Sequence, residues 1–129
     1  MTYITDTHAL VWLLEGDPQL SPLALQVFSD PDARIVIPTI VLAEIRFLYA
    51  HQRIAINLEQ VFGYIAQASN ALTYPLDELV IEHLPTALRI HDAIIVATGL
   101  VFRDVMGEPT CVLTRDARII ASGLIDTKW

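Results

Sequence analysis

The chain has 129 residues, which is enough for one domain that buries about two thirds of its unfolded surface, so residues 1–129 are expected to form a single domain. Fifteen Asp and Glu stand against eight Lys and Arg, and the net charge of −7 argues against a basic surface that grips nucleic acid through phosphate contacts alone. Hydrophobic residues make up 53% of the chain, above the usual range of about 45–50%, so some of them are expected to cover a subunit or partner interface.

The sequence predicts neither a membrane span nor a secretion signal. The most apolar run, Ala93–Phe102, is too short for a span of about 20 residues. Near the N-terminus, Asp6 lies where a signal peptide would be cationic or apolar. The single Cys111 excludes an internal disulfide and agrees with a reducing compartment. We therefore expect a cytoplasmic protein.

Residues 1–50 predict elements in the order strand, helix, helix, strand, helix. They are the strand Thr2–Thr5, a helix from Thr7 to about Glu15, a helix capped by Ser21 and running to about Ser29, the strand Arg34–Pro38, and a helix capped by Thr39. Pro38 ends the second strand because it cannot donate to a β-ladder. The last of these helices carries Glu44.

The rest of the chain continues the alternation of helices and short strands. The predicted elements are a helix from Asn57 to about Asn70, the strand Leu72–Tyr74, a helix Leu76–Leu84 closed by Pro85, a short helix Thr86–Arg89, a helix from Asp92 to about Val105, the strand Thr110–Leu113, a helix Arg115–Ala121 and an edge strand Leu124–Thr127. Short strands that alternate with helices indicate a parallel sheet covered on both faces. The expected fold is a three-layer α/β/α sandwich with a short central parallel sheet.

Four acidic residues interrupt otherwise apolar stretches at the ends of predicted strands or inside the following helices. They are Asp6, Glu44, Asp92 and Asp116. Because ligands of parallel α/β sheets bind beyond the carboxyl ends of the strands, these positions predict one acidic pocket. Two carboxylates about 4 Å apart repel by roughly 4 kcal/mol at an effective dielectric of about 20, so the pocket would need cations. Oxygen ligands favour hard ions, Mg²⁺ or Mn²⁺.

Each acid also has a structural explanation. Asp6 and Asp92 are suited to cap helices, and Asp116 could complement a helix dipole. Glu44 has apolar neighbours three and four residues away and no capping role, so it favours function most clearly. What favours one shared pocket is that four independent coincidences are less probable than one site.

Two threonines and two histidines adjoin these acids. Thr7 and Thr114 are candidates to hydrogen-bond a carboxylate or a metal-bound water, although Thr114 is equally suited to end a strand. His8 and His91 are weaker candidates, because neighbouring residues on a helix or strand point in different directions. Other α/β chemistries lack their motifs: the chain has no G-x-G-x-x-G sequence, and its only lysine, Lys128, excludes a Walker A loop.

The segments around the four acids, in their order and spacing, resemble PIN-domain nucleases and, more narrowly, the VapC toxins of toxin–antitoxin pairs. They are Ile4–Trp12, Leu42–Ile45, His91–Thr98 and Leu113–Asp116. The resemblance implies that Asp6, Glu44 and Asp92 match the three acids expected in active members, and that Asp116 matches a fourth, more variable one. All four then count as catalytic and as metal ligands, with Asp6 and Asp92 as the main ligands.

The resemblance also implies an activity and partners. It implies a Mg²⁺- or Mn²⁺-dependent endoribonuclease that leaves a 5′-phosphate and a 3′-hydroxyl, a homodimer, and a small antitoxin that blocks the site. A metal-activated water would attack the phosphorus in line. Arg115, Arg118 and Arg89 are candidates for contacts with RNA phosphates, and a solvated helix face is the alternative for Arg115 and Arg118.

Two other functions remain open at this point. One is a catalytically silent PIN fold that serves as a protein-interaction module, whose mark would be a missing acid. The other is a nuclease that processes DNA or structured RNA and is not a toxin; such proteins tend to be longer, with basic extensions that this chain lacks.

Overall fold

The computed structural model describes all 129 residues and contains five strands. The strands are β1 (Thr2–Thr5), β2 (Arg34–Pro38), β3 (Ala71–Tyr74), β4 (Thr110–Leu113) and β5 (Thr127–Lys128). They form one sheet in the order β3-β2-β1-β4-β5, and every neighbouring pair is parallel. All four residues of β1 and of β4 are buried, as expected for central strands covered on both faces.

Helices flank this sheet and complete the predicted three-layer α/β/α fold. They are α1 (Thr7–Glu15), α2 (Pro22–Ser29), α3 (Thr39–Ala50), α4 (Leu58–Gln67), α5 (Glu78–Glu82), α6 (Ile90–Leu100) and α7 (Ala117–Ser122). A π-helical turn, Val101–Val105, continues α6 without a break. No helix has both the length and the apolar character needed to cross a membrane.

Three predictions about the middle of the chain were wrong in detail. Thr39 does not cap α3: Pro38 is at the cap position, and the Thr39 hydroxyl instead accepts a hydrogen bond from Leu76 N at 3.1 Å. The helix predicted from Leu76 begins only at Glu78, because the side chain of Asp77 caps it through Val80 N. The segment Thr86–Arg89 forms turns and not a helix.

Boundaries also differ towards the C-terminus. Helix α6 begins at Ile90, two residues before the predicted start, and becomes π-helical after Leu100. Helix α7 begins at Ala117, since the Asp116 side chain occupies its cap position. The edge strand lies at Thr127–Lys128 and not at Leu124–Thr127; its pairing partners are Val112 and Leu113.

Close packing of α6 against the sheet depends on Gly99. A Cβ atom at Gly99 would lie 2.5 Å from Ile125 Cδ1 and 3.3 Å from Ile4 Cγ1. Glycine lets the helix backbone approach the buried face of β1 without displacing the Ile125 side chain, which an added Cβ would force to shift. The helix that carries Asp92 is thereby fixed against the strand that leads into Asp6.

Candidate metal and nucleic-acid site

The carboxyl ends of β1 and β4 open into a polar pocket of about 370 Å³. The register pairs Thr5 with Leu113, so the residues that follow these two strands emerge side by side. All four acids singled out in the sequence line this pocket: Asp6, Glu44, Asp92 and Asp116. The structure therefore brings together four residues separated by up to 110 positions in the chain, which is what one shared site requires.

Asp6 is the most deeply buried of the four acids, with only 8% of its surface exposed. Its Oδ1 caps α1 by accepting a hydrogen bond from Ala9 N at 2.8 Å, and its Oδ2 accepts one from the Thr114 hydroxyl. Burial raises the pKa of Asp6, and the negative charge of Asp116 raises it further, while the two hydrogen bonds oppose this shift. Asp6 is thus both the predicted cap and part of the pocket.

Thr114 connects Asp6 to Asp116. Its buried Oγ1 donates to Asp6 and accepts from Asp116 N at 3.0 Å. The Asp116 Oδ1 in turn accepts from Arg118 N and Ile119 N, at 2.8 and 3.2 Å, and so caps α7. One hydroxyl therefore fixes the spacing between two carboxyl groups of the pocket.

Asp92 is the third residue of α6 and not its cap, because Arg89 precedes the helix at the cap position. Partial burial raises the pKa of Asp92, and the charge of Asp116 acts in the same direction. The positive charges of Arg118 and Arg89 oppose this shift. The pocket therefore holds carboxylates that repel one another and arginines that only partly compensate.

Glu44 reaches the pocket from the middle of α3. Its Oε1 accepts a hydrogen bond from the Thr7 hydroxyl at 2.9 Å, and its Oε2 lies 3.5 Å from His91 Nδ1. The apolar neighbours that singled out Glu44 in the sequence do not enclose it: its side chain is 23% exposed, and Phe47 is 60% exposed. Ile40, Phe47 and Leu48 line an open groove instead, and only Val41 is buried in the core.

That groove lies directly beside the acidic pocket and has a volume of about 500 Å³. Its lining consists of Ile40, Ala43, Glu44, Phe47, Leu48 and His91. Glu44 and His91 belong to both cavities, so anything seated in the groove would touch the edge of the acidic site.

His8 and His91, which the sequence made weaker candidates, also line the acidic pocket. Because α6 begins at Ile90, His91 and Asp92 both lie in its first turn. Trp12 was missed. It lies four residues after His8 on α1, a spacing that places two side chains on one helix face, and their ring centroids are 5.4 Å apart.

The carboxylate oxygens of the pocket are of the type that hard divalent cations prefer, but they do not form a closed set of ligands. No Lys or Arg forms an ion pair with any of the four acids, so their mutual repulsion is left without a direct counter-charge. No three side chains of His, Cys, Asp or Glu lie close enough together to hold an ion jointly. Mg²⁺ is usually bound through one or two carboxylates and keeps several waters, which suits such an open arrangement.

The three candidate arginines occupy two places. Arg89 and Arg118 line the acidic pocket itself. Arg115 lines an adjoining pocket of about 280 Å³ together with Asp6, His8, Trp12 and Asp116. There its guanidinium carbon lies 4.4 Å from the centre of the Trp12 ring.

Comparison with known proteins places this geometry in context. A family model described as the PIN domain matches residues 3–122. No curated protein matches the sequence.

Three solved structures share the fold. A chain from VapBC2 of Rickettsia felis, solved bound to a DNA fragment from their promoter, has a TM-score of 0.68 at 15% identity, covering 100% of this chain and 99% of that one. A chain of VapBC-1 from nontypeable Haemophilus influenzae gives 0.66 at 16%, with coverages of 99% and 97%. A chain of FitAcB from Neisseria gonorrhoeae gives 0.58 at 17%, with coverages of 97% and 95%.

Proposed function

The chain belongs to the PIN domain family, and on this basis we propose that it is a metal-dependent endoribonuclease, the toxin of a toxin–antitoxin pair. One observation carries the proposal: Asp6, Glu44, Asp92 and Asp116, from four separate segments, line a single pocket. A silent protein-interaction module would have no need to keep four repelling carboxyl groups together.

We propose that Mg²⁺ or Mn²⁺ binds between the carboxylates. When bound, the ion would supply activation of water and neutralisation of charge on the phosphodiester. The protein's own groups would set its place: Thr114 holds Asp6, and Thr7 holds Glu44. Burial raises the pKa of Asp6 and of Asp92, and the charge of Asp116 acts in the same direction, so a bound cation would favour their ionised forms.

The same pocket has the features needed to receive an RNA phosphate. Arg89 and Arg118 are exposed at its wall, where they would contact phosphate oxygens on either side of the bond that is cut. Because the net charge is −7, these local cations and the divalent ion would have to overcome a general repulsion of RNA. Cleavage is therefore expected to depend steeply on both metal and salt concentration.

We also propose a small antitoxin partner and a homodimer. The open groove along α3 exposes Phe47 next to Glu44, which supports a protein partner that covers the edge of the site. The apolar residues Leu79 and Ile81 on α5 are exposed as well, which supports a second interface, that of the homodimer. The solved structures of VapBC2 and VapBC-1, which share the fold, are consistent with an antitoxin partner. We propose that the protein acts in the cytoplasm.

The test is cleavage of single-stranded RNA by the purified protein in the presence of Mn²⁺, with the variants Asp6→Asn and Asp92→Asn beside it. Asp32→Asn is the matched control, because it removes the same charge from an exposed loop away from the pocket. We expect cleavage by wild type and Asp32→Asn, loss in the two pocket variants, and loss with EDTA. If wild type cleaves no RNA with any divalent ion, or the pocket variants cleave as well as wild type, the proposal is wrong. A DNA substrate cleaved faster than RNA would favour a processing nuclease instead.

A further inference from the structure

We propose that the pocket beside the acidic site, lined by Asp6, His8, Trp12, Arg115 and Asp116, binds one unpaired base of a single-stranded RNA. This inference rests on the proposed function and concerns how the substrate is held. The two pockets share Asp6, His8 and Asp116, so a base in the smaller one would belong to a nucleotide adjacent to the phosphate in the larger one.

The planar guanidinium of Arg115 is held in place by Trp12 and Gln19. Its guanidinium carbon lies 4.4 Å from the centre of the Trp12 ring, and its NH2 donates to Gln19 Oε1 at 2.8 Å. The side chain is nevertheless exposed. A guanidinium fixed over an indole and open to solvent presents a flat surface on which a nucleobase stacks favourably.

His8 and Trp12 complete the aromatic part of the pocket. Their rings are tilted by 43° with centroids 5.4 Å apart, and the imidazole of His8 is exposed. Trp12 is supported on its other side by Trp129, at 5.8 Å in an edge-to-face arrangement. The supported indole thus backs Arg115, while His8 offers a second ring and a hydrogen-bonding edge.

Charge decides between a base and a phosphate as the occupant. Asp6 and Asp116 line both pockets and repel a phosphate in either, but Arg115 is the only Lys or Arg in the smaller one. A phosphate there would lack the two arginines and the proposed divalent ion that offset this repulsion in the larger pocket. A neutral base carries no such penalty, and an exocyclic amino group can donate to a carboxylate. At about 280 Å³ the pocket is slightly below the usual range for small-molecule sites, about 300–1,000 Å³, which suits a single planar group.

Tryptophan fluorescence offers a direct test that does not depend on cleavage. The chain has two tryptophans, so Trp129→Phe leaves Trp12 as the only reporter. In the background of Asp92→Asn and with Mg²⁺ present, the protein is titrated with a hexameric RNA and with the same hexamer lacking its bases. We expect the intact RNA to quench Trp12 and the abasic RNA to bind about tenfold more weakly with little quenching.

Arg115→Lys separates stacking from charge, because it keeps the charge and removes the planar group. We expect it to weaken the intact hexamer about tenfold and leave the abasic hexamer unchanged, whereas the exposed Arg53→Lys changes neither. Equal quenching by both hexamers, or equal affinities in the Arg115 and Arg53 variants, overturns the base site. Cleavage of RNA by the otherwise wild-type protein, measured in parallel, shows whether the proposed function survives that result; if no RNA is cleaved or bound at all, both fail.

Discussion

The hydroxyl of Thr114 donates a hydrogen bond to Asp6 and at the same time accepts one from the backbone of Asp116. The residue is fully buried at the end of β4, where the central strands leave the sheet. It therefore has no access to water as an alternative partner. Its position makes the spacing of the two carboxyl groups a property of the sheet and not of a mobile loop.

Thr114→Val keeps the shape of this side chain and removes both hydrogen bonds. Loss of an outer partner of a metal-binding group commonly costs about 10–100-fold in metal affinity or activity, and we expect a loss in that range. Thr110→Val is the matched control, since Thr110 is a buried residue at the other end of β4 whose hydroxyl donates to Glu108 O. Mn²⁺ titration by calorimetry and RNA cleavage rates are the measurements. Similar losses in both variants would show that any buried polar deletion in β4 has this effect.

Asp6→Asn is expected to change how the stability of the metal-free protein depends on pH. The pKa of Asp6 is raised in the folded state, so the folded protein holds the Asp6 proton more tightly than the unfolded chain does. Stability from this group is complete below the ordinary carboxyl pKa and falls as the pH rises through the raised one. Asparagine still caps α1 and cannot ionise, so it escapes that fall, while its Nδ2 removes the acceptor of the Thr114 hydroxyl at every pH.

Urea unfolding in EDTA, followed from acid to neutral pH, measures this difference. The unfolding free energy of Asp6→Asn minus that of wild type should rise from acid to neutral pH, because only wild type has a carboxyl group to ionise there. Added Mg²⁺ should then stabilise wild type more than the variant, because only wild type keeps the full ligand set. A difference in unfolding free energy that does not change with pH would contradict the assigned cost of ionising Asp6.

Much of the fold was predictable because its signals are local. The strands β1, β2 and β4 were placed with their observed boundaries, since short β-branched runs ending in Pro, Thr or Asp have few alternatives. Most errors fell at helix ends, apart from the edge strand β5 and the predicted helix Thr86–Arg89. Asp77 and Asp116 proved to be caps, and whether an aspartate caps a helix depends on how the chain enters it, which tertiary contacts decide.

The site was predictable as a set of acids but not as a surface. The residues that follow β1 and β4 lie together because these strands are parallel neighbours, so the proximity of Asp6 and Asp116 could be predicted from the sequence. The exposure of Phe47 could not be predicted, because an apolar neighbour of Glu44 is equally suited to the core or to a groove. The contact of Arg115 with Trp12 joins residues 103 positions apart, and no local pattern encodes it.

Arg89 and Arg118 provide a test of phosphate binding. Each single replacement by alanine should weaken RNA binding and lower the slope of log K against log salt by about 0.7, the value for one lost phosphate contact with a single strand. Arg53→Ala removes an exposed arginine that does not line the pocket and should leave the slope unchanged. Binding is followed by anisotropy of a labelled RNA in Asp92→Asn protein at several salt concentrations. Unchanged slopes in both pocket variants would remove these arginines from the phosphate contacts.

Thr7 should act on Glu44 in the way that Thr114 acts on Asp6. Thr7→Val removes the donor to Glu44 Oε1 at 2.9 Å, and we expect metal affinity or activity to fall by about tenfold. Thr7→Ser keeps the hydroxyl and should retain most of the activity. The comparison of kcat for these two variants is the measurement. If serine fails as badly as valine, the methyl group of Thr7 matters more than its hydrogen bond.

Gly99 lies where α6 packs against the sheet. In an exposed helix, replacing Gly by Ala stabilises by about 0.5–1 kcal/mol, and Gly63 in α4 offers this case because nothing lies within 4 Å of a Cβ added there. At Gly99 the added Cβ would meet Ile125 and Ile4 at 2.5 and 3.3 Å. Overpacking of a buried site costs about 1–3 kcal/mol, so Gly99→Ala should be less stable than Gly63→Ala by at least about 1 kcal/mol in urea unfolding. Because α6 carries Asp92, Gly99→Ala should also weaken Mn²⁺ binding, whereas Gly63→Ala should leave it unchanged. Equal stability and equal Mn²⁺ affinity in the two variants would show that the position of α6 does not depend on close packing at Gly99.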